Sequence, residues 1–416
     1  MQTPVKVSQK QLFALYFAIM ATGMGQTVVF AVIPMLGREL ALDQLVVNLP
    51  FFGAFALKEL AITSLTSIAS LTFFIAAPYW GRRSDRVGRK PIIIIGLLGY
   101  TLGTLAFNGS AQLGLNGVLA GFGLYLMLMV TRILLVLVMS ATHPAASAYM
   151  IDVTSLQKRT KGMGKMSAAS QIGTMVGPAL GTLVAISYLA PLYLQAFLTF
   201  VAAILVWRLL PDSGLDISKR RELPRLRYFD KRYRVYLGIG LVLYTMMGMV
   251  QQTLGFYFQD VLQLESKQAV QQFALAMVVC SSAMLFSQLV IVQRWNVHPM
   301  RLFRVGLPLV IAGYLLLANT AALFWLMVGM GLFGMGMGMA SPGYNVTATM
   351  TVNHDEQGAL AGLSASAPGM GYVIGPLLGG FIYSIEPSYT YWFAGLVLVP
   401  LFFYAIKLKD PEADAG

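Results

Sequence analysis

Cysteine and acid are what this sequence has least of. Its single cysteine, Cys280, lies inside an apolar run, which excludes a disulfide framework and a cysteine-based zinc site. Aspartate and glutamate together number 17 against 29 lysines and arginines, and none falls near the middle of a long apolar run. Glu59, Asp260 and Glu386 sit near the ends of such runs. The sequence has no Walker loop, no cluster of metal-ligating residues and no nucleophile spaced with a base. No enzyme, cofactor or metal is therefore expected, and any work must be driven by an ion gradient rather than by ATP. Charged residues make up 11% of the 416 positions, where a soluble domain carries about 25%.

Hydrophobic length is what the chain has instead. It is 57% hydrophobic, with a mean hydropathy of +0.69. The apolar runs extend for about 20 residues, the length of a membrane-crossing helix, not the ~10 of a barrel strand. Twelve spans are expected, at 12–36, 60–80, 92–108, 120–150, 163–187, 189–209, 236–259, 270–292, 302–318, 321–350, 359–384 and 389–407. The first run is long enough to span and is followed by no cleavage site, so it reads as an uncleaved first helix. The stretch after the Gly/Asn-rich turn at 109–119 is longer than one crossing needs, so span 4 is expected to project, tilt or break.

The net charge of +12 invites a nucleic-acid reading, but its distribution argues against one. Of the 29 cations, 25 fall on the termini and on the loops of one side; Arg38, Lys58, Arg132 and Lys267 are the exceptions. Juxtamembrane Lys and Arg resist translocation, so that side is the cytoplasmic one and both termini lie on it. Residues 210–235 are too polar to enter a bilayer, carrying Lys219, Arg220, Arg221, Arg225, Arg227, Lys231, Arg232 and Arg234 with Pro211 and Pro224. They read as a cytoplasmic linker between halves 1–209 and 236–416, its charge facing solvent and lipid headgroups. The halves repeat. Gly173, Gly177, Pro178 and Gly181 in span 5 recur as Gly371, Gly375, Pro376 and Gly379 in span 11, an offset of 198 that also takes Pro144 to Pro342. The fold class is therefore all-α: a polytopic membrane protein of twelve transmembrane helices in two pseudo-symmetric six-helix bundles.

Between spans 2 and 3 stands Gly81-Arg-Arg-Ser-Asp85-Arg86-Val-Gly88-Arg89-Lys90-Pro91, with six charges in ten residues. Gly81 and Gly88 permit a tight reversal and Pro91 suits the start of the next helix. The pattern Gly-x-x-x-Asp-Arg-x-Gly-Arg-Lys resembles the signature loop of the major facilitator superfamily. Gly173, Gly177, Pro178 and Gly181 are similar to the span-5 motif of its antiporter branch, whose members exchange drug-like solutes for protons. Small residues four apart let helices approach closely, and proline bends them. Gly181-Thr182 departs from the family's glycine pair, which is intact at Gly379-Gly380. The second-half counterpart of the loop, Gln293 to Arg301, keeps cations but has no Asp.

The resemblance carries roles to particular residues. It implies that Arg89 pairs with an acid at the cytoplasmic end of span 4, here Asp152, and that Asp85 lies near the start of span 11. An Asp85–Arg89–Asp152 latch, with Gly81, Arg86 and Gly88, would then hold the halves together; the alternative for Asp152 is a solvated helix-end carboxylate. Arg132 matches the family's span-4 arginine, implicated in proton coupling. A cation in hydrocarbon needs a cavity or a partner, so Arg132 is read either as functional or as a structural group bonded to carbonyls or to Gln26. His143 follows eleven residues later, on the same face about 16 Å away if span 4 is one straight helix. His143 could titrate near neutral pH or serve in packing. With no central carboxylate, either His143 or Glu59 carries the proton, or Arg132 meets an anionic substrate directly.

Polar and aromatic residues inside spans 1, 4, 5, 7 and 10 outline the expected substrate cavity: Gln26, Phe30, Arg132, His143, Gln171, Gln251, Gln252, Phe256, Tyr257, Tyr344 and Asn345. Each is read equally as a ligand contact or an interhelical hydrogen bond. Met330, Met335, Met337 and Met339 in span 10 read as adaptable packing. Asn108-Gly-Ser110 fits a glycosylation sequon, given little weight in a chain read as bacterial. The expected function is secondary active export of a small amphipathic or anionic solute in exchange for protons, by alternating access, in a bacterial inner membrane. Multidrug efflux is the default; export of a metabolite such as a carboxylate siderophore, uptake by symport, and a non-transporting receptor are the alternatives. The expected partners are a small-molecule substrate, protons and the bilayer, with no nucleic acid and a monomeric state.

Overall fold

The computed structural model describes residues 8–49, 53–154, 156–212, 226–294, 298–353, 356–357, 360, 363–364 and 366–408. Most of the linker, including Lys219, Arg220, Arg221, Pro224 and Arg225, lies outside them. The described chain is helical almost throughout. Helix α1 (Gln9–Glu39) starts at a capping box in which the Gln11 amide donates to Ser8 Oγ at 3.3 Å and the Ser8 amide to Gln11 Oε1 at 2.7 Å. Then follow α2 (Glu59–Val87), α3 (Arg89–Leu115), α4 (Gly121–Met139), α5 (Thr142–Val153), α6 (Leu156–Ala179) and α7 (Ala190–Leu209). After the linker come α8 (Arg234–Leu262), α9 (Ser266–Phe286), α10 (Pro299–Ala318), α11 (Leu323–Thr349), α12 (Ser366–Tyr383) and α13 (Pro387–Lys407).

Counting α4 and α5 as one broken span gives twelve. Ten of these are long and apolar enough to cross a membrane. The other two are α6 and α12, where glycine, proline and small polar residues dilute the apolar content. Large apolar side chains such as Phe122, Leu134, Phe197, Trp207, Phe324 and Phe403 are left exposed, as lipid contact requires.

Some local expectations are revised, and the expected break in span 4 is present. The charged stretch after span 2 is not an extended loop: α2 runs to Val87, α3 starts at Arg89, and Gly88 alone turns the chain with φ of 106°. A positive φ of this kind suits glycine, whereas Gly81 is ordinary helix and Pro91 lies inside α3. The outer segment 37–59 includes a two-stranded antiparallel hairpin, Val46–Leu49 against Gly53–Ala56, with Val46 opposite Ala56. Span 4 breaks at Ser140 and Ala141, because Pro144 has no amide hydrogen to give the Ser140 carbonyl. After Pro178, α6 tightens into a 3-10 turn at Leu180–Ala185, but α12 stays α-helical past Pro376. Span 8 ends in a π-helical stretch, Ser287–Val292.

The chain forms two compact units, Met1–Leu57 with Ile68–Arg220, and Lys58–Ser67 with Arg221–Gly416. In the first, α1 packs on α6 and α7, and α3 packs on α4 and α7. Its core gathers Leu15, Ile19, Ile93, Leu97, Ala145 and Tyr149. In the second, α8 packs on α12, α10 on α11 and α13, and α9 on α11. The first turns of α2 belong to this second unit, where Lys58 Nζ donates to the Ser384 carbonyl at 2.8 Å.

The internal repeat is visible as paired contacts. A side chain at Gly96 would strike Thr142, and one at Gly103 would strike Leu135. In the second unit, Gly306 meets Ala340 and Gly313 meets Phe333. The α3-to-α10 offset is 210 (Gly96 to Gly306, Gly103 to Gly313), and the offset from the α4–α5 span to α11 is 198 (Thr142 to Ala340, Leu135 to Phe333). The same helix pair is built twice, held at a glycine-to-backbone distance that larger residues would not allow.

Candidate functional site

The basic turn gathers three helices. Arg89, in the first turn of α3, ion-pairs with Asp85 near the end of α2. It also donates from Nε to Asp152 Oδ2 at 3.0 Å and from Nη1 to Ser84 Oγ at 2.5 Å. The side chains of Arg89 and Asp152 are only 6% and 7% exposed, so Asp152 is not a solvated helix-end carboxylate. Arg86 points to solvent, and Gly81 lies against Pro144. All of these residues belong to the first unit and tie α2, α3 and α5 together there.

The glycine–proline segments form close helix contacts. Gly173 lies over the Met20 backbone and Gly177 over Met24 and Thr27, so α6 rests directly on α1. Gly371 lies over Tyr244 and Thr245, Gly375 over Thr245 and Met249, and Gly379 over Met249, so α12 rests on α8 in the same manner. Gly181 and Pro178 are buried at the end of α6, and Pro376 is buried in α12.

Arg132 is buried between α3 and α4, with its guanidinium 5.7 Å from the centre of the Phe107 ring. It opens on a cavity of about 10 Å³ lined by Gly25 and Val29 of α1, Tyr100, Thr104 and Phe107 of α3, Leu135 of α4, and Leu192 and Gln195 of α7. Gln26 does not line it. His143 does not share this environment: it is exposed, and it lies beyond the interruption of the helix at residues 140–141. Gln26, Phe30, Gln171 and Asn345 are half-buried, and Glu59 is half-buried at the first residue of α2.

The remaining expected cavity residues lie inside the second unit. Gln251 accepts a hydrogen bond from Tyr372 at 2.9 Å. Gln252 is fully buried, and neither amide atom has a hydrogen-bond partner among the described residues. Phe256 packs on Tyr383, and Tyr257 packs on Tyr391 while donating to the Leu317 carbonyl at 2.7 Å. Tyr344 is buried against Phe303 and Gly240. These rings fill helix packing among α8, α10, α11, α12 and α13. Asn108 is fully buried in α3, which rules out its use as a glycosylation site.

Sequence reasoning missed Tyr100, Thr104, Phe107 and Gln195. The signal was present in span 3: Tyr100, Thr104, Phe107 and Asn108 recur at helical spacing and define one polar stripe in an apolar run. It also missed Asp260, which accepts from Tyr383 at 2.6 Å, and the Arg232 network. Arg232 pairs with Asp230 at 2.9 Å and with Glu356 at 2.8 Å. Its guanidinium holds both carboxyls below the usual carboxylate range.

Twelve spans among the described residues, an internal repeat, and glycine faces that bring helices into close contact mark a multi-pass membrane protein. The chain belongs to the Major Facilitator Superfamily, whose family model matches residues 15–368 and 323–416. It is 25% identical over 377 residues to multidrug resistance protein 2 of Bacillus subtilis, covering 85% of this chain and 87% of that one. It is 25% identical over 431 residues to multidrug resistance protein MdtG of Proteus mirabilis, covering 97% of each. Among solved structures, a D-xylose–proton symporter matches with a TM-score of 0.74 at 15% identity, covering 97% of this chain and 98% of that one. The superfamily consists of transporters, not enzymes.

Proposed function

We propose that the chain is a proton-driven exporter of small amphipathic organic solutes in a bacterial inner membrane, with both termini cytoplasmic. Residues 1–209 and 236–416 would act as the two rocking halves and 210–235 as their linker. The observation that carries this reading is the near end-to-end match to a bacterial drug-resistance protein, 97% of each chain. The doubled glycine–proline contacts of α6 on α1 and α12 on α8 support it, since alternating access needs close helices that can slide.

The anionic-substrate reading rested on Arg132 meeting a solute. A cavity of about 10 Å³ gives an organic anion no room there, so a carboxylate siderophore loses its main support and drug efflux is preferred. Arg132 would act in coupling without touching solute, and the exposed His143, or Glu59, would carry the proton. Gln26, Phe30, Gln171 and Asn345, which keep accessible surface, would contact substrate. Asp85, Arg89 and Asp152 would form the latch.

The test uses proteoliposomes with an imposed pH gradient and an amphipathic fluorescent dye. Dye movement opposite to proton movement is the expected result. Dye moving with protons would make the chain a symporter, and no flux under either gradient would remove the transport reading.

A further inference from the structure

Arg132 poses a charge problem that no side chain around it solves. It is 6% exposed, and its Nε has no hydrogen-bond partner among the described residues. The residues lining its cavity include no carboxylate. An unneutralised guanidinium in an apolar interior is costly, and one aromatic face offsets little of that cost.

The polar groups around the cavity are also held open. Thr22, Thr27 and Thr101 each bond a carbonyl of their own helix, at 2.8, 3.2 and 3.1 Å. Thr104, 4% exposed, makes no such bond and lines the cavity with its hydroxyl unpartnered. Gln195, 1% exposed, is anchored by its amide nitrogen on the Ala21 carbonyl at 2.8 Å. Tyr100 reaches the same place because Gly25 has no side chain: a Cβ there would overlap the Tyr100 hydroxyl and Gln195. Two helices, α3 and α4, thus supply an N–H donor from Arg132 and hydroxyl donors from Tyr100 and Thr104 around space for about one water-sized particle.

We propose that this cavity binds a single monatomic anion of the halide class, held by Arg132, Thr104 and Tyr100 inside the first helical unit. A buried cation, converging O–H and N–H donors and a space too small for an organic molecule all suit such a ligand. The Gln195 side-chain oxygen, which also has no hydrogen-bond partner among the described residues, is held by the anchored amide and bounds the site on its α7 side. The proposal stands whether or not the chain exports drugs.

The experiment is a thermal-melting titration of the purified full chain in detergent, with sodium chloride or bromide replacing sodium gluconate at constant ionic strength. The expected result is a saturable rise in melting temperature with chloride and bromide and none with gluconate. Thr104→Val, which keeps the shape and removes the hydroxyl, is expected to shift the halide midpoint about tenfold to higher concentration. Arg132→Gln is expected to abolish the halide response. Equal melting of the wild type in halide and gluconate overturns the proposal without any variant, leaving water as the occupant. A halide response unchanged in Thr104→Val overturns the assignment to this cavity.

Discussion

Arg89 Nε lies 3.0 Å from Asp152 Oδ2, joining the first turn of α3 to the end of α5 with both side chains almost excluded from solvent. Asp85 and Ser84 take up the other donors of the same guanidinium. Breaking a buried pair is costly chiefly because it strands the remaining charge, and here Asp85 remains as a second partner. Asp152→Asn is therefore expected to destabilise the protein by at most about 3 kcal/mol, read as a lowered melting temperature in detergent. Arg86→Ala, on an exposed side chain, should change stability by less than about 0.5 kcal/mol. Melting of Asp152→Asn at the wild-type temperature would show that the pair contributes nothing to the fold.

The glycine contacts make a sharper contrast. A Cβ at Gly177 would fall against the Met24 carbonyl and Thr27, and one at Gly375 against the backbone of Thr245 and Met249. Backbone cannot swing aside, so Gly177→Ala and Gly375→Ala should each cost about 1–3 kcal/mol through overpacking. Gly164 in α6 has nothing within 4 Å, and Gly164→Ala should be neutral or slightly stabilising. Matched losses at positions 177 and 375, in detergent melting, would support the duplicated helix contact. Equal behaviour of the variants at 164 and 177 would discard the close-packing account.

The two ionisable groups of span 4 are expected to separate by phenotype. Arg132→Ala removes a buried charge whose surroundings are shaped around it, and should abolish dye transport while leaving membrane insertion intact. His143→Gln alters an exposed side chain, so melting should hold while the dependence of dye flux on the pH gradient falls. Wild-type flux from Arg132→Ala would exclude it from coupling, and an unchanged pH dependence in His143→Gln would leave Glu59 as the proton carrier.

Much of this architecture was legible because hydrocarbon imposes few solutions. Length of apolar run gave the spans, and the 198-residue register of the glycine–proline motifs gave the repeat. The family resemblance of the basic turn placed Arg89 against Asp152, which the structure shows at 3.0 Å. What could not be read was which way a side chain faces once a helix has neighbours on several sides. Phe256 and Tyr257 have the chemistry of ligand contacts, yet their rings pack on Tyr383 and Tyr391. Period alone aligns Arg132 with His143, yet the first is buried and the second exposed, and the missing amide hydrogen of Pro144 interrupts the helix ladder between them. The Gly96 and Gly306 pairings escaped notice because isolated glycines in a glycine-rich chain carry no local signal; only the partner helix gives them meaning.

Arg232, just ahead of α8, bonds Asp230 two residues before it and Glu356 on the segment preceding α12. The end of the linker is thereby fastened to the second unit. Both carboxyls are held below their ordinary range by the guanidinium, so the contribution is fully present above about pH 4.5 and is lost only as pH falls through the lowered values. No change is expected between pH 8 and pH 6, since neither carboxyl protonates in that interval. Salt is the effective variable, because the Arg232 side chain is 43% exposed and the Debye length shrinks to about 3 Å at about 1 M. Trypsin cleavage after Arg232 reports the fastening. Glu356→Gln should be cut faster than wild type at low salt, and the wild-type rate should rise toward that of the variant as salt is added. Identical rates at low salt would mean that the ion pairs do not restrain the linker, as is common for exposed pairs, and that α8 packing alone fixes its end.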